Sequence, residues 1–586
     1  MALLAVAAAT GATLPEIHAV RDKTSGIVHP GAMLNALQIK RLREHVANGD
    51  EPWATNFAWY ISDRVMNRHP RLFYSGWDFH DDPRKDDTMC RDGMTAWYQA
   101  QAYIFTGEKV YYDNAWRFLH AYMDGVKSGK PHWDCHFRWG AAMRSMCMAA
   151  ELVKYVEPPE GSPRWGDEDD AAFIRLMEIG AAWADSRNAW MNQHQFCTAG
   201  LMAYAIFRND GERYREMVER ATANSRSGDW GGNGGYGAMA HWVTGTNGNR
   251  FVEWTEMGRD IGHPFAGFCA SLDSIKIIVS QGTKVDSETG EAIFHAETQR
   301  DRGRRDSANS ALSAPLREQK NCHPLSFRDD AFVRGVDYIY KYNLGFDVEW
   351  VPFDTKDPKF KLFERISNAG GGRGRTPPGV AYLYNHYRYV RGWKEGLPYF
   401  KHIAWIHRFI GREFPDSFLF LPEEISCRDS EAQRGKNLHA SASLRESPKH
   451  FASFLLPEDA GVKRMSDPKE GRFVRLEKHD TVLPLYVRGG SFFGNGDFEI
   501  HYRSNGAAGV QVINPADYDT ERDDDGRFKA VARFLLPSTD GKWETRRVTL
   551  DAVPDRELVK MRVVAKTPPF DLACVWISRD KRDSAN

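Results

Sequence analysis

No two of the eight cysteines (positions 90, 135, 147, 197, 269, 322, 427 and 574) stand in a Cys-x-x-Cys spacing, so neither a zinc site nor a dense disulfide framework is signalled. Cys147, Cys197 and Cys269 fall in apolar helical runs, where a buried free thiol is expected. No apolar run reaches the ~18 residues that span a bilayer, so no membrane partner is expected. An excess of either charge is also missing. Lys plus Arg number 78 against 79 Asp plus Glu, a net charge of −1, which argues against nucleic acid as a partner bound by bulk charge. Neither GxxxxGK[ST] nor a strand-GxGxxG-helix pattern occurs, and no ligand cluster has recognisable metal spacing, so no cofactor and no metal are expected. There is no Asn-x-Ser/Thr sequon. Met1 to Leu14 is apolar and rich in small residues but lacks a basic start. It reads as a signal remnant or tail over residues 1–26, and as a pointer to a secreted or periplasmic protein.

What the chain does have is rings. The 18 Trp, 22 Tyr and 33 Phe suit both protein cores and flat sugar faces. At 586 residues two domains are expected. Apolar positions at three-to-four spacing predict helices at 35–47, 91–105, 108–126, 140–156, 168–186, 195–207, 211–226, 263–280, 329–343 and 398–412, with another starting at Pro52-Trp53. Thr106-Gly107 is a tight turn between antiparallel helices. Residues 283–325, polar and Arg/Ser-rich, read as an exposed insertion. Paired helices with almost no alternating pattern before residue 440 describe a mainly α, (α/α) toroid domain over 27–415. A linker follows at 416–445. Over 446–586 the period switches to two: Arg472–Lys478, Leu483–Arg488, Phe498–Arg503, Val510–Ile513, Arg546–Leu550 and Leu558–Val564 read as strands of an all-β sandwich of the jelly-roll type.

The stretch Phe251-Val-Glu-Trp-Thr-Glu-Met-Gly-Arg-Asp-Ile-Gly-His263 concentrates charge. Read as helix, it places Glu256, Arg259, Asp260 and His263 on one face. It follows a segment (228–250) whose eight glycines favour a folded-over loop holding Tyr236 and His241, a cleft wall or lid. A second glycine loop, 366–378, carries Arg373 and Arg375 and leads into Tyr384-Asn-His-Tyr387. Loops at Trp77 and at Pro131-His-Trp-Asp-Cys-His-Phe-Arg-Trp139 add further rings. The acidic run Asp81–Asp87 reads as a solvated loop.

His29-Pro-Gly, the Pro52-Trp53 helix, Trp97-Tyr…Phe105-Thr-Gly107, Glu256-Met-Gly-Arg-Asp-Ile-Gly-His263, Tyr340-Lys-Tyr-Asn-Leu-Gly345 and Gly372-Arg-Gly374…Tyr384-Asn-His-Tyr387 occur in an order that resembles alginate-lyase-type polysaccharide lyases. The resemblance covers roughly residues 27 to 412. It implies a toroid whose cleft holds an anionic, uronate-containing polysaccharide or oligosaccharide. His501-Tyr-Arg503, Leu536-Pro and Cys574-Val-Trp-Ile-Ser578 look, more loosely, like a carbohydrate-binding β-sandwich. In β-elimination a base removes the proton at C5 of a uronate, and the adjacent carboxylate must be neutralised. The resemblance points to Asn192 as the amide, Arg259 as the cation, and His241 or His263 as the imidazole. Tyr384 joins the catalytic candidates. Trp77, Trp133, Arg138, Trp139, Tyr236, Arg373, Arg375 and His386 are candidates for holding sugar. The chain departs from the pattern at Phe265, where such lyases often carry a catalytic tyrosine. The base is then Tyr236 or Tyr384 from elsewhere, or a histidine.

Two other readings stand beside a lyase. Glu253, Glu256 and Asp260 could supply the two carboxylates of a glycoside hydrolase. The rings and the β-sandwich could make a glycan-binding protein without catalysis.

Overall fold

The computed structural model describes residues 13–50, 53, 57, 67–76, 86–129, 135–185, 191–223, 234–293, 321–343, 348–355, 362–367, 382–383, 386–387, 391, 397, 450–454, 462–467, 471–487, 496–513, 532–550 and 558–579. Helices dominate up to residue 343 and strands from residue 450, so a helical part and a separate β part are both present.

The long helices are α1 (Ala36–Asn48), α2 (Asp86–Thr106), α3 (Lys109–Gly125), α4 (Cys135–Lys154), α5 (Asp167–Ala184), α6 (Met191–Phe207), α7 (Gly211–Thr222), α9 (Gly262–Ser280) and α10 (Phe327–Asn343); α8 is one turn, Tyr236–Met239. Their ends follow local chemistry. Asn35 caps α1, its side chain accepting from the Gln38 N–H while Gln38 Oε1 accepts from the Asn35 N–H, and Gly49 closes the helix at φ 74°. Gly107 makes the turn between α2 and α3 at φ 72°.

Alternate helices pack side by side, α2 on α4, α4 on α6 and α6 on α9, with α3, α5 and α7 set against them. The α4–α6 contact is nearly backbone on backbone. A Cβ at Gly200 would lie 2.2 Å from the Gly140 carbonyl oxygen, so only glycine permits this approach. α6 is apolar almost all round and is buried along nearly its whole length, as a helix walled in on every side must be. No helix among the described residues is long and apolar enough to cross a membrane.

Two short pieces of sheet interrupt the helices. β3 (Ala240–Thr244) and β4 (Arg250–Trp254) form an antiparallel hairpin, followed by a 3₁₀ turn at Thr255–Gly258. β5 (Lys284–Asp286) pairs β6 (Ala292–Ile293) and β7 (Asn321–Cys322). Val285 and Leu325 are fully buried, so the ends of the expected exposed insertion are part of the core; residues 294–320 lie outside the described set. β1 (Val20–Arg21) pairs β2 (Val28–His29), and β8 (Phe353–Asp354) pairs β9 (Leu362–Phe363).

The β part holds ten antiparallel strands: β10 (His450–Phe454), β11 (Val462–Asp467), β12 (Gly471–Leu476), β13 (Asp480–Val487), β14 (Gly496–Ser504), β15 (Ala508–Ile513), β16 (Ala532–Leu536), β17 (Glu544–Leu550), β18 (Leu558–Ala565) and β19 (Phe570–Arg579). Their order is β11-β12-β19-β10-β13-β18-β15-β16, with β14 bridging β17 and β19. Burial alternates along β12, β14, β15 and β18, at Val474 and Leu476, Ile500 and Tyr502, Val510 and Val512, and Met561 and Val563, while Phe570, Asp571 and Leu572 on β19 are all buried. The buried Asp571 on β19 is forked by Arg475 (2.7 and 2.9 Å) and also receives Arg503 (2.9 and 2.6 Å). Burial works to raise its pKa, but those hydrogen bonds and charges hold it below the usual aspartate value.

Candidate functional site

The charged stretch 251–263 is not one helix. Phe251, Val252, Glu253 and Trp254 alternate as strand β4, residues 255–258 turn as 3₁₀, and α9 starts only at Gly262. Glu256, Arg259, Asp260 and His263 therefore share no helical face. The reason is local: Asp260 Oδ1 accepts from the Gly262 N–H (2.7 Å) and the His263 N–H (2.9 Å), so its side chain caps α9 rather than lying along it. Asp260 Oδ2 also meets His263 Nδ1 at 2.5 Å. Burial pushes the Asp260 carboxyl up, yet the His263 bonds hold it below its ordinary value.

Strand pairing sets His241 directly opposite Glu253. His241 Nε2 lies 3.4 Å from Glu253 Oε1, and the ring tilts against Phe353 at 5.3 Å. Glu253 is fully buried, and its Oε2 accepts from the Val351 N–H at 3.1 Å. Burial raises the Glu253 carboxyl to about 7, against the pull of that N–H. Burial lowers His241 to about 4, helped by the Arg328 charge and opposed by the Met239 backbone. At this distance a charged pair would move both values the other way. Desolvation decides, and between about pH 4 and pH 7 the pair is a neutral acid beside a neutral imidazole. His241 Nδ1 is sealed from solvent, and Nε2 is the nitrogen that faces Glu253.

Glu256 is the second buried acid. Neither carboxyl oxygen has a hydrogen bond of good geometry. The Asn192 backbone N–H, in the first turn of α6, faces the group closely enough to lower its pKa. Burial outweighs both that N–H and the Arg259 charge and raises Glu256 to about 8. Gly267 leaves the space: a Cβ there would stand 3.1 Å from Glu256 Oε2, 3.3 Å from Met239 Sδ and 3.5 Å from Asn192 Cβ. The start of α6, the 3₁₀ turn, α8 and α9 thus meet at one corner, bringing together Asn192, Glu256 and the charge of Arg259. Asn192 is 7% exposed, and its Oδ1 is buried with no partner, whereas Arg259 and His263 are half-buried.

The other candidates lie apart from this corner or in the core. Trp139 is 1% exposed and packs against Trp183 at 5.9 Å; it sits in α4, not in a loop, so its ring belongs to the core rather than to a sugar platform. Tyr236 is sealed, its hydroxyl donating to the Pro324 carbonyl at 2.7 Å, and burial holds its phenol well above the ordinary value. It is no proton carrier for a cleft. Asn192 lies inside α6, which begins at Met191, four residues before the expected helix start at Gln195. His386 is buried and stacks on His323 at 4.3 Å. Arg138 is half-buried, ion-pairs with Asp87 and lies over Phe137 at 5.5 Å. Trp77, Trp133, Arg373, Arg375 and Tyr384 lie outside the described residues. Among the described residues no group of three His, Cys, Asp or Glu side chains is placed to hold a metal ion. Glu253 and Glu256 stand in the sequence as carboxylates for hydrolysis, but their raised values are not legible there, because the burial that raises them is made only in the fold. The one available signal was the strand alternation of 250–254.

No protein-family model matches the chain, and no curated protein matches it. Among solved structures, a carbohydrate-binding module of Cellvibrio mixtus lichenase 5A with cellotriose aligns at 14% identity over 21% of this chain and 88% of its own, with a TM-score of 0.16. The C-terminal carbohydrate-binding module of a laminarinase from Zobellia galactanivorans aligns at 16% identity over 22% of this chain and 98% of its own, TM-score 0.17. A family GH115 4-O-methyl-α-glucuronidase with specificity for decorated arabinogalactans aligns at 10% identity over 78% of this chain and 50% of its own length, TM-score 0.15. At TM-scores this low the likenesses decide neither fold nor activity.

Proposed function

We propose that this protein is a polysaccharide lyase that cleaves a uronic-acid-containing glycan, alginate or glucuronan-like, by β-elimination. The observation that carries the reading is His241 with Glu253 behind it: an unprotonated imidazole, half-buried, 3.4 Å from a carboxyl that titrates near neutrality. In this mechanism Nε2 takes the C5 proton, and Glu253, once ionised, stabilises the imidazolium that forms. The C5–H electron pair becomes the C4=C5 double bond, and the 4-O bond breaks with protonation of the departing oxygen. Arg259 and Asn192 bear on the uronate carboxylate, where negative charge grows. A histidine base also answers the phenylalanine at 265, since Tyr236 is sealed. With His241 as base, Tyr384, a catalytic candidate offered from the sequence as an alternative base, takes in this reading the role of acid for the leaving oxygen. In this reading the helical part closes as a toroid, the β part is a jelly-roll that holds glycan, and the protein acts outside the cytoplasm.

One observation favours a second reading. Two carboxyls raised to about 7 and 8 resemble the general acid of a glycoside hydrolase. Hydrolysis also needs an ionised carboxylate beside the acid, and Asp260, the ionised one, is engaged by His263 and the start of α9.

The test is incubation of purified protein with alginate, glucuronan and glycosaminoglycans. Elimination gives an unsaturated product with new ultraviolet absorbance. Reducing ends without that absorbance point to hydrolysis, and retention on the polymer without either points to binding alone. Either of the last two outcomes ends the lyase proposal.

A further inference from the structure

Arg328, Asp329 and Asp330, at the start of α10, are three consecutive non-glycine residues in the left-handed region, at φ 52°, 56° and 58°. L side chains rarely take this conformation once, and a run of three persists only where tertiary contacts impose it. Those contacts are visible. The Arg328 N–H donates to the Ser287 carbonyl at 3.0 Å. Tyr387 donates to Asp330 Oδ1 at 3.0 Å, and Arg334 Nε to the Asp329 carbonyl at 3.0 Å. Two further bonds run to the hairpin segment. Arg328 Nη1 donates to the Gly237 carbonyl at 2.8 Å, and Trp242 Nε1 donates to the Arg328 carbonyl at 2.9 Å. Gly237 and Trp242 bracket His241 in the chain.

We propose that this left-handed turn is the device that positions His241, with Arg328 as its positioning residue, gripping the backbone before the imidazole and the indole after it. The proposal rests on the lyase reading for what His241 does, but not for where it is held. Two charged side chains bear on the ring: Glu253 from β4 and the Arg328 guanidinium from the turn, which disfavours a proton on it. Phe353 covers the ring without charge. Arg250 and Arg334 lie over the Trp242 ring instead, at 5.0 and 5.4 Å. Trp242 and His241, as neighbours in a strand, point to opposite faces of the hairpin. Arg328 therefore acts in two ways: it fixes the ring's backbone and helps keep the ring neutral.

The test reads His241 directly in the full chain, by NMR titration of its ring with the signal assigned through its loss in His241→Gln. In Arg328→Met the midpoint rises, because a nearby cation is removed. In Arg328→Lys, which keeps the charge, it stays near wild type. An Arg328→Met protein that is folded but has an unmoved His241 midpoint overturns the proposal. Should Arg328→Met not fold, Trp242→Phe removes only the indole donor to the Arg328 carbonyl. It is expected to shift the His241 ring signal, and an unchanged signal again overturns the proposal. Failure of the lyase reading shows separately, as wild-type protein that gives no unsaturated product from uronate polymers.

Discussion

His241 Nε2 and Glu253 Oε1 face each other at 3.4 Å across a strand pair, one sealed carboxyl behind one half-buried imidazole. Each is displaced toward its neutral form by the same burial, so a contact that looks like an ion pair is a store for a single proton.

That pair sets a pH dependence for elimination. Below pH 7 Glu253 is protonated and cannot stabilise an imidazolium; above it, ionised Glu253 can. The rate on a uronate polymer is expected to rise with a midpoint near pH 7. Glu253→Gln should abolish the rise, and His241→Gln should lower turnover roughly 10²–10⁴-fold, the usual contribution of a general base. A rate profile for Glu253→Gln that still climbs through neutrality removes Glu253 from the mechanism.

Glu256 makes the fold less stable as pH increases. Its carboxyl ionises near 4.5 in an unfolded chain but near 8 when folded. The folded state therefore holds the extra proton between those values, and stability falls as pH rises from 4.5 to 8. Glu256→Gln should melt like wild type at pH 4 and be more stable at pH 8, by on the order of 3 kcal/mol. Thermal melts at the two pH values measure it, and an equal gain at both would show that ionisation is not the cause.

Gly200 faces the Gly140 carbonyl so closely that a methyl group cannot fit. Gly200→Ala should force α4 and α6 apart and cost at least about 1–3 kcal/mol, although alanine is the better helix former by about 1 kcal/mol. Denaturant unfolding decides; an unchanged or raised midpoint would contradict the close approach.

Asp329 is exposed and left-handed at φ 56°. Asp329→Gly relieves a conformational cost of roughly 1–2 kcal/mol, partly offset by the freedom glycine gains when unfolded. A gain of up to about 1 kcal/mol is expected, with elimination unaffected, because the hydrogen bonds to Gly237 and Trp242 come from Arg328. A lower melting temperature would show that the turn is not strained at this position.

Much of the secondary structure is legible in the chain. Asn35 and Gly49 bound α1, Thr106-Gly107 breaks α2 from α3, and the apolar spacing of 263–280 matches α9 within a residue. In the β part, the period of two marks six of the ten described strands and misses β10, β11, β16 and β19. The last, Phe570–Arg579, pairs with β10, β12 and β14, and its Phe-Asp-Leu-Ala-Cys-Val run lacks a clean alternation of apolar and polar residues. The helical reading of 251–263 failed because charges at i, i+3 and i+4 fit a helix face, while the alternation ending at Trp254 and the Asp260 cap fit strand, turn and helix start. Trp139 was read as a ring for sugar because tryptophan's chemistry is the same in a cleft and in a core.

The sequence alone determined which segments could be helix and which strand, because periodicity and caps act over a few neighbouring residues. It also placed acid, cation and imidazole near one another along the chain. Only the tertiary structure decided their protonation. The Val351 N–H reaches Glu253 from 98 positions away, Gly267 makes room for Glu256, and Arg328 acts on His241 from the left-handed turn that opens α10. A proton's free energy depends on the water removed around it and the charges set beside it, and both are supplied by residues brought together only when the chain folds.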